Sequence, residues 1–215
     1  MIRLVVATRS AHKLEELVRM VAPLVDSGRL EVRSVADVER ETGAAIPEVE
    51  EDAPDFAGNA EKKARAIAEH LGALALGDDS GLCVDALEGA PGVYSARYSG
   101  AEGEWRDAAN NEKLLAELAG VPEERRGASF VCALSLVAPD GRVWQVEGRC
   151  HGRIAEAPRG EAGFGYDPLF VSLEPGLDGT RTHGELTAEE KDRVSHRGRA
   201  LRSLMPLLDE VVREP

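Results

Sequence analysis

The chain has 215 residues and a formal net charge of −13, which suits one large domain or a compact two-lobed one and argues against a nucleic-acid polymer as partner, since phosphate backbones are repelled at long range. Any anionic ligand must therefore meet a local group of cations or a metal. Hydrophobic residues reach 43% and aromatics only 4%, so Ala, Val and Leu must build most of the core.

The opening IRLVVAT (Ile2–Thr8) is a short β-branched apolar run and predicts a buried strand. Its apolar part is too short for a signal peptide, and no later stretch approaches the ~20 apolar residues of a membrane span. After it, Leu14, Leu17, Val18 and Val21 share one helix face, with Ser10 placed to cap the helix. Leu30–Val35 reads as a second strand, and the acidic Pro47–Phe56 as loop. Ala60, Ala64, Ile67, Ala68 and Leu71 mark a helix over Ala57–Leu71. The run ALAL then leads into Asp78 and Asp79, where a strand is expected to end. GAPGVYSARYSG is turn-rich, and Trp105–Leu118 is helical again. ASFVCALSLVA and RVWQVEGRC predict two strands around Pro139-Asp140-Gly141. RGEAGFGYDPLF is a glycine-rich loop. A capping box at Thr187 and Glu190 opens a final helix past Leu201, Leu204, Leu208 and Val211, which Pro206 should kink or interrupt. Interleaved strands and helices with one hairpin predict an α/β fold with a mixed, twisted central sheet flanked by helices, as a single domain over 1–215. Cys83, Cys132 and Cys150 have no C-x-x-C spacing and are odd in number. Free thiols in a cytoplasmic protein follow.

Four segments carry residues suited to chemistry. In ATRSAHK a strand feeds a helix start through Thr8, Ser10 and Lys13, and free N–H groups there attract phosphate. The glycines of a Walker loop are absent, so an ordinary turn with a solvated lysine is the plainer alternative. Glu50, Glu51 and Asp52, with Asp78 and Asp79, offer carboxylates of the kind Mg²⁺ takes one or two at a time. If the strand persists through Asp78 and Asp79, the two point to opposite faces and have different roles. GFGYDP (Gly163–Pro168) offers Phe164 and Tyr166 as flat faces for a base. In KDRVSHRGRA, Lys191, His196 and Arg197 gather near a helix start, and an arginine there can donate to a base carbonyl.

Together these segments resemble the inosine triphosphate pyrophosphatase family. The resemblance spans LVVATRSAHKLEEL to SHRGRAL, with DDSGLCVDALEGAPGVYSARYSG, GFGYDPLF and ELTAEEKDRVSHRGRAL its specific blocks. It implies an elongated, two-lobed ITPase-like (Maf/Ham) fold with a cleft, Mg²⁺ dependence and a homodimer. It also implies hydrolysis of dITP, ITP or XTP to the monophosphate and pyrophosphate, which clears the nucleotide pool. The nucleotide-binding opening maps onto Thr8, Arg9, Ser10, Ala11, His12 and Lys13. The metal and base aspartate maps onto Asp79, with Ser80 touching substrate, and Asp78 is expected to be its supporting neighbour. Glu51 maps onto a metal-assisting glutamate and Lys63 onto a phosphate-contacting lysine. The base contacts map onto Phe164, Gly165, Tyr166, Asp167, Lys191, His196 and Arg197.

The chain departs from the family pattern at several points. ATGN is here Ala7-Thr8-Arg9-Ser10, and the Gly, Thr and Glu of ETGxTFxENA are Ala53, Asp55 and Gly58. The segment EPGLDGTRTHGE looks longer than usual. A Maf-like nucleotide pyrophosphatase is the rival among enzymes, and SHRGRAL and GFGYDPLF speak against it. A nucleotide-binding module without turnover is the rival of another class, kept open by Ser10 and Gly58.

Overall fold

A computed structural model describes residues 1–213. Strands β1 (Ile2–Val6), β2 (Leu30–Ser34), β3 (Leu74–Val84), β4 (Gly127–Val137), β5 (Val143–Ile154) and β6 (Phe170–Ser172) alternate with six α-helices. These are α1 (Ala11–Asp26), α2 (Val35–Thr42), α3 (Phe56–Leu71), α4 (Arg106–Glu117), α5 (Ala188–Val194) and α6 (His196–Arg213). The strands are hydrogen-bonded in the order β2-β1-β3-β4-β5-β6. β1 pairs parallel with β2 and with β3, setting Val6 opposite Ser34 and Leu76, whereas β6 pairs antiparallel with β5. The mixed α/β sheet expected from the sequence is present.

The chain divides into two compact units. The first holds Met1–Asp79, Cys132–Gly148 and the chain from Ala200 onward; the second holds Ser80–Val131 and Arg149–Arg199.

In the first unit, side chains alternate across the sheet with the period of two that a pleat imposes. Leu4, Val6, Leu74, Leu76, Cys132, Leu134 and Leu136 pack with α1 and α6 through Leu17, Val21, Leu24, Leu201, Leu204 and Leu208. Val5, Ala75 and Val137 pack with α2 and α3 through Val35, Val38, Ala64, Ile67 and Ala68. Cover on both faces explains why β1 and the start of β3 read as unbroken apolar runs. Helix α3 lies against β3 so closely that a Cβ on Gly77 would stand 1.9 Å from the Ala60 carbonyl oxygen. Only glycine admits that approach.

In the second unit, Leu82, Val84, Ala128, Phe130, Cys150, Ile154 and Phe170 of the strands pack with Leu114 and Leu118 around α4. Tyr166 and Leu169 of the glycine-rich segment join this core.

Two expectations are corrected, and one element is new. Strand β3 does not end at the aspartates but runs on to Val84. Between β2 and the acidic loop the chain forms α2, where no element was expected. Its signal was a capping box: Ser34 Oγ accepts from Asp37 N at 3.1 Å while Asp37 Oδ2 accepts from Ser34 N at 2.9 Å. The final helix is broken at Ser195, not at Pro206. Ser195 is extended (φ −66°, ψ 156°), and its hydroxyl accepts from Gly198 N at 3.0 Å, capping α6. A Cβ on Gly198 would lie 1.9 Å from the Asp192 carbonyl oxygen, so the glycine permits the sharp re-entry into helix. Pro206 sits on the exposed side of α6, where water can satisfy the carbonyl that the missing N–H releases, and the helix passes through it.

Candidate active site

The first unit gathers carboxylates and lysines at the place where β3 meets α1 and α3. Asp79 lies on the α3 face and Asp78 on the α1 face, the division that continued strand geometry demands. Asn59 and Lys63 stand one turn apart on α3 and so share a face. Asn59 Nδ2 donates to Asp79 Oδ2 at 3.3 Å, and Lys63 Nζ donates to Asp79 Oδ1 at 2.9 Å. The same ammonium donates to Glu51 Oε1 at 2.9 Å. One lysine thus holds two carboxylates. Burial pushes the Asp79 carboxyl above its ordinary value, and Lys63 opposes that rise without cancelling it. Burial lowers Lys63, but Asp79 and Glu51 outweigh it and hold the ammonium charged.

On the other face, Lys13 Nζ donates to Asp78 Oδ1 at 2.6 Å, and Cys132 Sγ lies 3.6 Å from Asp78 Oδ2. Lys13 belongs to the first turn of α1. Ser10 caps that helix, its hydroxyl accepting from Lys13 N at 3.4 Å, and Thr8 Oγ1 accepts from Ser10 N at 3.1 Å. The hydroxyl that replaces the family's Asn is therefore used as a cap. Ala11 and His12 are exposed on the same turn. Arg9 turns elsewhere: its guanidinium binds Glu39 at 2.6 and 3.0 Å and the Ile46 carbonyl at 3.2 Å. That pairing, with the Ile46 N–H, holds the Glu39 carboxyl down to about 2.

The departures ahead of α3 fit one another. Asp55 caps the helix by accepting from Gly58 N at 2.7 Å. A Cβ at Gly58 would come within 2.8 Å of Ala53 Cβ. Ala53 N in turn donates to Asn59 Oδ1 at 3.0 Å, which orients the amide whose other end meets Asp79.

The second unit gathers an aromatic ring and two cations. Lys191 Nζ lies 4.8 Å and the Arg197 guanidinium 5.8 Å from the centre of the Phe164 ring. Arg197 is 1% exposed and donates through Nη2 to Ser80 Oγ at 2.8 Å. Asp167, 2% exposed, accepts from Lys191 Nζ at 2.7 Å and from Phe164 N at 2.8 Å. Burial would raise the Asp167 carboxyl, but Lys191 and His183 outweigh it and hold it far below the usual range. Two residues of α4 fix the loop: Asp107 accepts from Gly165 N and Asn111 donates to Gly165 O, both at 3.0 Å. Tyr166 is anchored through its hydroxyl to Ser95 O at 2.9 Å. His196 stacks on Phe130 with ring centres 4.7 Å apart, and burial with the nearby Arg197 and Lys191 charges keeps it neutral well below its usual value.

The structure therefore brings together Glu51, Lys63 and Asp79, joins Lys13 to Asp78, and gathers Ser80, Phe164, Asp167, Lys191 and Arg197 in the second unit. Tyr166 serves as an anchor rather than an open face, since it is 5% exposed. The sequence reading had no role for Asn59 beyond its survival in the pattern, none for Asp107 and Asn111, and none for His183. The i, i+4 spacing of Asn59 to Lys63 and of Asp107 to Asn111 was the available signal. His183 carried none.

Residues 4–207 match the sequence model of the Ham1 family. A dITP/XTP pyrophosphatase of Corynebacterium efficiens is 49% identical over 97% of this chain and 98% of its own. The dITP/XTP pyrophosphatase of Streptomyces coelicolor is 48% identical over 99% of this chain and all of its own. Among solved structures, a HAM1 protein from Coxiella burnetii superposes with a TM-score of 0.83 at 35% identity, over 98% of this chain and 100% of that one. A nucleoside-triphosphatase / dITP/XTP pyrophosphatase from Mycobacterium abscessus superposes with a TM-score of 0.73 at 50% identity, over 96% and 100%.

Proposed function

Because the chain belongs to the Ham1 family, we propose that it hydrolyses non-standard purine nucleoside triphosphates, dITP, ITP and XTP, to the monophosphate and pyrophosphate. The supporting observation in the structure is the Lys63 ammonium held 2.9 Å from both Glu51 and Asp79. It marks a point where carboxylate oxygens converge beside cations, which a triphosphate with about four negative charges requires in so acidic a chain.

The donor set suits Mg²⁺. Glu51 and Asp79 offer hard carboxylate oxygens, brought together by their shared Lys63. Glu51 and Asp79 would hold the ion, which when bound neutralises phosphate charge and orients the groups for in-line attack. Lys13, Lys63 and the first N–H groups of α1 bind the phosphates. Asp79 accepts the proton of the attacking water at a carboxylate oxygen. A buried carboxyl with a raised pKa is a stronger base than an exposed one, and Asn59 and Lys63 fix its two oxygens in place.

The purine is assigned to the second unit's residues. Phe164 offers a ring face, and Arg197 supplies N–H donors that suit the C6 carbonyl of hypoxanthine or xanthine and face an amine in adenine. Arg197→Ala is expected to lower the ITP-to-ATP ratio of kcat/KM by tenfold or more, since a donor left facing the wrong group costs about 1–3 kcal/mol. An unchanged ratio contradicts the O6 contact.

The family resemblance further supports a homodimer and a cytoplasmic location; no described helix is long and apolar enough to cross a membrane. Sedimentation equilibrium checks the dimer. Pyrophosphate release from ITP, dITP, XTP, GTP, ATP and dUTP, with and without Mg²⁺, tests the activity. Turnover of the first three with Mg²⁺ supports the proposal. Tight nucleotide binding without turnover supports the non-catalytic alternative instead.

A further inference from the structure

His183 lies at the end of the segment that looked longer than the family pattern, in a single 3-10 turn (His183–Glu185). It is fully buried in the second unit. Its ring stacks on Phe130 at 5.8 Å and meets Phe170 edge-on at 4.9 Å. Both ring nitrogens face polar atoms. Nδ1 lies 3.4 Å from Asp167 Oδ1 and completes no hydrogen bond, and Nε2 lies 3.8 Å from Cys150 Sγ.

These neighbours select one tautomer. A carboxylate only accepts, so Nδ1 must carry the proton that faces Asp167. Burial raises the Cys150 thiol to about 11, so it stays S–H and donates to Nε2 or to Ser172 Oγ, 3.5 Å away. Asp167 then has a donor at each oxygen. Oδ2 takes Lys191 Nζ and Phe164 N, while Oδ1 faces His183. Rotation about its last bond moves both oxygens together, so a donor facing Oδ1 adds to the restraint that the two bonds at Oδ2 impose. The 2.1 Å approach of a would-be Gly163 Cβ to Asp167 Oδ2 shows how tightly that carboxylate is packed against the loop.

We infer that His183 is a positioning residue for purine recognition: as the Nδ1-protonated tautomer it orients Asp167, and through Asp167 it places the Lys191 ammonium and the Phe164 backbone. This rests on the proposed function in naming the purine as the ligand. The arrangement of Cys150, His183, Asp167 and Lys191 stands independently of it. The Nδ1 contact is long, and a bound base pressing on Phe164 is expected to shorten it, as polar contacts at reaction sites often tighten only in the complex.

Two measurements test the inference. In the wild-type protein, the ¹⁵N shifts of the His183 ring report its tautomer without any substitution and without turnover. Nδ1 protonation is expected; the Nε2-protonated form overturns the inference. In steady-state kinetics with XTP, His183→Phe keeps the aromatic packing but removes the donor. It is expected to raise KM about tenfold with kcat within about twofold, the pattern of lost binding rather than lost chemistry. His183→Asn, which returns an N–H near the Nδ1 position, should recover most of that loss. A His183→Phe protein with the wild-type melting temperature and wild-type KM overturns the inference. If His183→Phe does not fold, His183→Asn decides: KM near wild type upholds it, and KM as high as in Asp167→Asn overturns it. A wild-type protein inactive on every purine triphosphate would instead defeat the proposed function, and the ring tautomer would still decide the arrangement.

Discussion

Lys63 is the residue on which the acidic cluster depends. Its ammonium lies 2.9 Å from two carboxylates and is mostly buried, with a side chain 13% exposed. Lys63→Met leaves Glu51 and Asp79 facing each other without a shared cation. Their repulsion should drive Asp79 further up, and the phosphate contact proposed for Lys63 should be lost. A fall in kcat/KM of about 10²-fold or more is expected, of the size seen when one preorganised donor is removed. Pyrophosphate release under saturating Mg²⁺ checks it, and activity within threefold of wild type contradicts it. At this scale the sequence showed a good deal. Lys13 stood at a helix start, and Asp78 and Asp79 had to diverge if the strand persisted. Arg9 was placed with the phosphate contacts, but its own sequence context could not show that Glu39, thirty residues away, holds it.

At the scale of elements, the contact between α3 and β3 sets the cluster. Gly77 lets the Ala60 carbonyl come to where a Cβ would stand, and so brings Asn59 and Lys63 within bonding distance of Asp79. Gly77→Ala must push the helix and strand apart. Overpacking of this kind costs about 1–3 kcal/mol, and a backbone clash cannot be relieved by turning a side chain. The urea midpoint should fall accordingly, with a larger proportional loss of activity because Lys63 moves with its helix. An unchanged midpoint contradicts the packing argument. Periodicity found α1 and α3, since each buries one stripe. It missed the break at Ser195, because the apolar stripe of α6 resumes almost at once and Pro206 looked the better breaker. A serine cap followed by a glycine in close approach ended α5 instead. The period-two reading of β3 was correct in kind, but the expected stop at Asp78 was not. Paired carboxylates look like a turn until their partners, Lys13 on one face and Lys63 on the other, are in view.

For the whole molecule, charge and acid stability belong together. Asp167 is held well below its ordinary 3.8 and Glu39 near 2, against an ordinary 4.5. Such groups bind protons in the unfolded chain before they do so in the folded one. Their contribution is complete above the unfolded values and is lost as pH falls through the folded ones. Asp79 runs the other way, since its raised carboxyl is easier to protonate in the folded state. The lowered groups outnumber it, so the urea midpoint should drop between pH 5 and pH 3. A midpoint that holds or rises over that interval contradicts the balance. Composition and motif order made the α/β class and the family legible, because both depend on patterns local in sequence. The clusters were legible only as candidates, because Asp79 meets Lys63 and Asp167 meets His183 across stretches whose folding no local pattern reports. On the proposed function, Asp79 carries the chemistry and Asp78 supports it. The direct test is kcat of Asp79→Asn on XTP with saturating Mg²⁺. A fall of at least about 10²-fold with the fold retained is expected; near wild-type kcat would contradict the role of Asp79.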